Sequence, residues 1–534
     1  TGDCSDAVSR FWFFDREINC RTNDASFPER TLPIQAESIS GSLSRQHLMD
    51  AEFATCGKIR TNFKVETISC ADDMASPSLK IPRARGAWPL LGHALSFRRD
   101  PIRFFRKHGR GMGPVYYFQL FQRKIVVAND PEAVEAILIG EVQQFSRKKT
   151  YAFLEALLGN GLITSEGAHW RKNRRMMQPG FKREQLVGLM GGIQETVSNW
   201  CQRIEQGGQN AQCVDLHHAM NALTLEVLTG SIIETGWSGE LDSFQDHLST
   251  AWSYLADQRF QSKLPEEKAQ IWNPRNRAKI QRAVQGKQAI NRLKDIVAAI
   301  IAERRTAERE SHDLLDMLLS AKDSDSGVGL NDTEILDEVM TIVIAGHDTT
   351  ASALTWTFHC LSEHPEWAEQ IRAEAQNLPS GHWSLADVAE LHVTKRVIQE
   401  AMRLFPPVWT FGRKTTSSME LCGFQIPADC SVTMPLVGVH RHADHWEFPD
   451  AFYPDHFLPE AVQQRHKMAY FPFGAGKRMC IGSHYAMMEM QTIVARIALH
   501  FSVQMPPSKN LRLLPQVTLQ PGQALPCFFQ PLEP

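Results

Sequence analysis

The sequence predicts a mainly α chain with a smaller β component, folded as one large domain. Three observations predict it. Apolar residues recur with helical periodicity from Asp130 to about Leu319, interrupted only by polar loops such as "EQGGQN" and "WSGELDS". A run from Glu334 to about His364 holds no proline and stops at Pro365, room for one helix of about 30 residues and roughly 45 Å. Strand-like runs rich in Val, Ile, Tyr and Phe are short and few, chiefly "PVYYFQLF" and "KIVVAND".

In chain order, residues 1–78 lack sustained periodicity and carry scattered Ser, Asn and Thr. We expect a poorly ordered extension there, and a second, functional unit over 79–534. Order begins at "LKIPRARGAWPLLGHA", where Pro82, Pro89 and Gly92 punctuate an entry loop. The two β-rich runs, separated by Gln122–Arg123, read as a hairpin. After the helical stretch, "KDSDSGVGLND" (322–332) is a loop. Asn331 and Glu334, three apart, are placed as an N-cap and its capping-box partner. A second proline-terminated helix ends at "RLFPPV", "TSSMELCGFQIPADCSVTMPL" is turn-rich and β-like, and a last helix starts just after Cys480.

Bulk properties exclude several function classes. A net charge of −3 over 534 residues gives no electrostatic case for nucleic acid. Eleven Cys without a CxxC pair suit a reducing compartment with free thiols. No window approaches the roughly 20 apolar residues of a membrane span, so we expect no transmembrane anchor and a cytoplasmic protein, at most peripheral to a membrane.

Four short stretches carry chemistry. The long helix contains "AGHDTTAS", Ala345 to Ser352. A mid-helix Gly costs about 1 kcal/mol relative to Ala, and Asp-Thr-Thr is a poor helix former. Such local inconsistency tends to mark function: an acid beside an alcohol can relay protons, and an exposed polar patch is the plainer alternative. "EAMR" sets Glu400 and Arg403 one turn apart, close enough for an ion pair. "AHWRKNRRMMQPGF" puts Trp170 and Arg174 on one helix face, suited to an anionic group or simply to solvent. In "FPFGAGKRMCIGSHYAMMEM", glycines, Arg478 and a following helix start make a setting for a thiolate at Cys480. A buried structural thiol, a nucleophile served by His484, or a metal ligand would each account for Cys480 alone. An axial thiolate to haem iron accounts for all four stretches together.

With those residues assembled, "FGAGKRMCIG" (473–482) resembles the haem-binding signature of the cytochrome P-450 family at each fixed position. Trp-x-x-x-Arg (170–174), Ala-Gly-x-Asp-Thr-Thr (345–350) and Glu-x-x-Arg (400–403) follow the family's order. The resemblance covers about Leu79 to the C-terminus and implies a single large cytochrome P-450-type domain binding haem b. It implies that Cys480 is the iron ligand, that Phe473 packs beside the sulfur, and that Gly482 admits the haem. It further implies that Trp170, Arg174 and Arg478 contact the haem propionates, with Arg413 and His440 as further contacts. Asp348 and Thr349 would be the acid–alcohol pair supplying protons to dioxygen, and Ala345 and Gly346 the oxygen groove.

The activity implied is monooxygenation, RH + O2 + 2e− + 2H+ giving ROH + H2O, on a lipophilic small molecule, with a fatty acid or alkane first among candidates. Electrons would come from a separate ferredoxin, with its reductase, or a flavoprotein, docking on Arg171, Lys172, Arg175 and Lys477. A peroxide-driven peroxygenase and a non-catalytic haem sensor are the alternatives; the Asp348–Thr349 pair speaks against both. Residues Phe145 to Leu158 and about 215–265 would shape specificity. One departure stands out: the family's Pro-Glu-Arg-Phe reads "PDHF" here, so His456 replaces an Arg that usually joins the Glu400–Arg403 pair. His changes charge near neutrality, and we expect a working but more pH-sensitive network.

Overall fold

The computed structural model describes residues 80–206, 213–231, 241–260, 274–306, 313–507 and 511–532. The expected extension at 1–78 lies outside them, as do parts of the 215–265 segment.

The expected hairpin forms. Strands β1 (Val115–Leu120) and β2 (Arg123–Ala128) pair antiparallel with Leu120 opposite Arg123. The turn is therefore Phe121–Gln122, one residue earlier than the sequence suggested. Phe121 sits at φ 54°, because a two-residue hairpin turn needs positive φ to match strand twist. Two short strands interrupt the helical region, β3 (Phe145–Ser146) and β4 (Val214–Asp215). The turn-rich segment supplies β5 (Thr410–Thr415), β6 (Met419–Leu421), β7 (Phe424–Ile426) and β8 (Ser431–Pro435). The main sheet runs β1-β2-β8-β5-β3, with β2 and β8 parallel. At the C-terminus come β9 (Phe501–Gln504), the hairpin strands β10 (Leu513–Pro515) and β11 (Leu519–Pro521), and β12 (Pro526–Pro531).

The long helices are α1 (Gly167–Met177), α2 (Arg183–Gln206), α3 (Leu216–Ser231), α4 (Leu241–Phe260), α5 (Pro274–Thr306), α6 (Asp332–Glu363), α7 (Pro365–Gln376), α8 (His392–Leu404) and α9 (Ser483–His500). Helix α6 is the 32-residue axis of the fold. Asn331 Oδ1 accepts from Glu334 N–H, and the Glu334 carboxylate accepts from Asn331 N–H, so the capping box forms as the spacing predicts. Met340, Val343, Leu354, Trp356 and Phe358 are buried along α6, which packs against α3, α8 and α9. Its far half is fastened to the C-terminal hairpin, where Trp356 Nε1–H donates to Leu519 O at 2.8 Å. Among the described residues, no helix is long and apolar enough to cross a membrane.

Candidate active site

Cys480 ends a loop whose shape the glycines make. Gly474 and Gly476 have φ of 72° and 65°, and a Cβ at 476 would lie 2.3 Å from Leu138 O. Only glycine fits there. The loop closes with Cys480 N–H donating to Phe473 O at 2.9 Å. At Gly482 the reason differs: a Cβ would meet only Phe181, at an ordinary 3.6 Å. Among the described residues, no neighbour requires glycine at that position. Burial pushes the Cys480 thiol up, while the Gly482 N–H and the Arg174 guanidinium favour the anion. Yet the residue's surface is open, so Cys480 faces an interior opening rather than packed side chains. His484, the base a nucleophile would need, is exposed on α9.

Beside this opening the fold gathers cations. Trp170 and Arg174 come from α1, Arg413 from β5, and Arg478 from the Cys loop. Arg478 stacks on the Trp170 ring at 3.8 Å, and its guanidinium donates to Leu162 O and Ser165 O. Arg174 Nη1–H donates to Met479 O at 3.0 Å. Burial lowers Arg478 to about 9 and Arg413 to about 10, and Arg147 adds repulsion to each. Burial lowers Arg174 as well, partly offset by Cys480. Arg147 was not singled out in the sequence; its Cζ lies 4.7 Å from the Tyr151 ring centroid, and its Nε is buried without a hydrogen-bond partner. Glu166 stands nearby, but it is spent on the Ser146 hydroxyl and the Arg147 and Lys148 backbone N–H groups. Four guanidinium groups held short of counter-charge, one with an orphaned N–H, suit a group carrying two carboxylates. The donor set fits a haem.

His440 is placed elsewhere. Its ring is fully buried, packs on Tyr470 and Phe471, and accepts Phe471 N–H on Nε2 at 3.0 Å. Burial and then Arg403 hold it well below the usual imidazole value. Such a ring lines no opening, so the structure does not support the expected propionate contact.

On α6, Ile342, Ala345, Gly346 and Thr349 are partly exposed while His347, Asp348 and Thr350 are buried. Spacings of three and four put the open residues on one stripe. Thr349 Oγ1–H donates back to Ala345 O at 2.7 Å, weakening the helix ladder there. A Cβ on Gly346 would come within 2.9 Å of Leu228 Cδ1 on α3, a contact the flexible Leu228 side chain can relieve by shifting. The Asp348 carboxylate does not meet Thr349. It accepts from Thr518 Oγ1–H at 2.7 Å and Gln520 Nε2–H at 3.1 Å. Burial raises Asp348 to about 6 against those two donors.

Glu400 and Arg403 form a bidentate pair at 2.7 Å, both fully buried. Arg403 also donates to the carbonyls of His440, Pro449 and Ala451. His456 Nδ1 lies 3.1 Å from Glu400 Oε1 and Nε2 3.2 Å from Glu447 O. Burial alone would raise the Glu400 carboxyl, but the Arg403 and His456 hydrogen bonds hold it below the ordinary range. His456 thus occupies the place expected for the missing Arg. A second cation, Arg465, stacks on Trp446 at 3.8 Å and donates to His456 O.

The expected docking face is altered. Lys172 is paired with Glu334 at 2.7 Å, and Arg175 with Asp323 and Asp325 at 2.6 and 2.8 Å. Arg171 and Lys477 are exposed. Sequence reading also missed Glu338, a fully buried carboxyl on α6 that accepts from Asn173 Nδ2–H at 2.7 Å and Leu162 N–H at 3.0 Å. Its only local signal was a charged residue amid the apolar turn "LDEVM".

The chain matches the family model described as Cytochrome P450 over residues 82–528. It is 30% identical over 447 residues to cyclooctatin synthase of Streptomyces melanosporofaciens, covering 82% of this chain and 93% of that protein. It is 29% identical over 437 residues to pentalenene oxygenase of Streptomyces avermitilis, covering 80% and 92%. Human cytochrome P450 4V2 is 27% identical over 473 residues, covering 83% and 88%. Among solved structures, the cytochrome P450DA heme domain superposes with a TM-score of 0.75 at 25% identity, covering 86% of this chain and 99% of that one.

Proposed function

Because the chain belongs to the cytochrome P450 family and is a cytochrome P450 monooxygenase, we propose that Cys480 is the thiolate ligand of its haem, as haem b. The supporting observation is the open Cys480 side chain, deep in the fold and placed beside a cluster of under-compensated guanidinium groups. When bound, the haem supplies the oxygen-activating chemistry, with a thiolate ligand that favours O–O cleavage.

The chain's residues do the rest. Gly482 N–H and Arg174 favour the anionic sulfur against the burial that opposes it, and Phe473 closes the loop that carries it. Trp170, Arg174, Arg413 and Arg478, joined by Arg147, take the two propionates. The stripe Ala345, Gly346 and Thr349 forms the oxygen groove. Thr349 has a hydroxyl proton to offer once it leaves Ala345 O, and Asp348 is the acid that replenishes it.

The substrate is a lipophilic small molecule. Two of the Streptomyces relatives are named for pentalenene and for cyclooctat-9-en-7-ol, both unsaturated ring compounds by name. That favours a cyclic hydrocarbon skeleton over the fatty acid or alkane that the motif wording suggested. O2 and electrons from a redox partner complete the reaction. We place the docking of a separate ferredoxin or flavoprotein at Arg171 and Lys477.

The test is difference spectroscopy of the purified protein. A strongly red-shifted Soret band of the CO-bound ferrous form, absent in Cys480→His, supports the thiolate; an unshifted band in the parent protein overturns it. Titration with cyclic olefins and with fatty acids then reads substrate class from the high-spin shift.

A further inference from the structure

We propose that Thr518 and Gln520, on the C-terminal hairpin, are positioning residues for Asp348, holding its carboxylate so that the hairpin takes part in proton delivery. The inference rests on the reading of Asp348 as the proton-supplying acid.

Both carboxylate oxygens are engaged by one short segment, Thr518 at the end of the hairpin turn and Gln520 on β11. Thr518 Oγ1–H donates to Oδ2 and Gln520 Nε2–H to Oδ1, while the same amide also reaches Thr518 Oγ1 at 3.1 Å. Thr518 and Gln520 flank Leu519, and the hydrogen bond between the Gln520 amide and Thr518 Oγ1 presents the pair together. Leu519 between them is fixed from three sides. Its carbonyl accepts from Trp356 Nε1–H at 2.8 Å and from Ser352 Oγ–H at 3.4 Å, and its N–H donates to Pro407 O at 2.8 Å. Ser352 and Trp356 lie one and two turns beyond Asp348 on α6. Helix and strand are thus locked in the register that aims the two donors at the acid.

The chemistry follows from donor count. Two donors on a buried carboxyl favour the anion, against a burial cost that favours the acid. Among the described residues, no charged side chain takes part in this balance; His347 next to it points its Nε2 at Asn221 O. When Asp348 takes up a proton, the Thr518 hydroxyl must turn or yield, and the Gln520 amide loses an anionic acceptor. Both Asp348 oxygens are held by the hairpin, so handing a proton to Thr349 requires one of those two hydrogen bonds to open. Gln520 is partly exposed and Thr518 buried, which sets this end of the path toward solvent.

The test uses the haem-loaded enzyme and four variants: Thr518→Val, Gln520→Leu, Thr518→Ser and Asp348→Asn. The first readout is the infrared carboxyl band lost in Asp348→Asn, titrated with pH. Thr518→Val and Gln520→Leu move its midpoint up by about one pH unit, and Thr518→Ser restores the parent value. The second readout is the share of reducing equivalents released as peroxide, whose pH profile shifts in the same direction. An unmoved midpoint in both variants, with Asp348→Asn still uncoupled, overturns the hairpin's role and leaves that of Asp348 standing. Full coupling in Asp348→Asn overturns both. Gln520→Leu alters a partly exposed side chain and keeps the test open should Thr518→Val fold poorly.

Discussion

Glu338→Gln should remove a pH dependence that this one buried carboxyl imposes on stability. Burial raises Glu338 to about 7 from an ordinary 4.5; the Asn173 and Leu162 hydrogen bonds only partly oppose this, and Asp337 and Glu334 add repulsion. A folded-state value above the unfolded one means the native protein binds more protons between the two. Stability therefore falls as pH rises through that window, and the penalty is complete above the folded value. The gap of about 2.5 units corresponds to about 3.4 kcal/mol at 1.36 kcal/mol per unit, of which roughly 2.5 kcal/mol develops between pH 5 and 8. Gln cannot ionise, although its amide accepts only one of the two donors well. The variant thus carries a constant offset but no slope from this site. The assay is urea unfolding of haem-loaded parent and Glu338→Gln from pH 5 to 8, taking the difference at each pH. The parent should lose about 2.5 kcal/mol relative to the variant across that range. A flat difference curve would show that Glu338 ionises normally and refute the reasoning. The site matters because Asn173 lies between Trp170 and Arg174 on α1, so Glu338 ties the long helix to the cation cluster.

Further outcomes follow from the geometry. Arg403→Met strands Glu400 as a buried charge without its Arg partner, a loss of about 3–5 kcal/mol in unfolding free energy from urea melts that Glu400→Gln in the same chain partly recovers; a loss below about 1 kcal/mol rejects the buried-pair reading. His456 bridges Glu400 Oε1 and Glu447 O; His456→Ala should weaken haem retention, read as haem loss on dilution, and His456→Arg should keep it. Charge reversal at Arg171 and Lys477 should slow reduction and reduce its salt dependence in stopped-flow, whereas reversal at Lys172 should chiefly cost stability, because Glu334 loses its partner. Gly476→Ala should fail to fold whether or not haem is supplied, since Leu138 O blocks the Cβ. Gly482→Ala should fold and lose haem affinity; equal haem affinity would mean nothing approaches Gly482 from the open side.

What the sequence disclosed and what it hid divide along the length of the interactions. The capping box at Asn331 and Glu334, the stripe on α6 and the Glu400–Arg403 pair all lie within about two helical turns, where fixed helix geometry turns spacing into contact. The hairpin was legible for the same reason, and its one-residue error arose because Phe121 is apolar enough to read as strand while the turn demands positive φ of it. Pairings across the chain left no such trace. Lys172 looked like a free docking cation, and nothing local says that Glu334, 162 positions on, neutralises it. Asp348 and Thr349 looked like partners because they are adjacent, yet consecutive helix residues point about 100° apart. The acid turns instead to Thr518, 170 positions away. His440 carried the right chemistry for an anion contact and ended in a sealed ring stack. A motif therefore names which groups the chemistry needs, while their ionisation and aim are set by partners that only the folded chain supplies. In this protein the buried acids of α6 are governed by Asn173, Thr518 and Gln520, none of which falls at a fixed position of the family motifs.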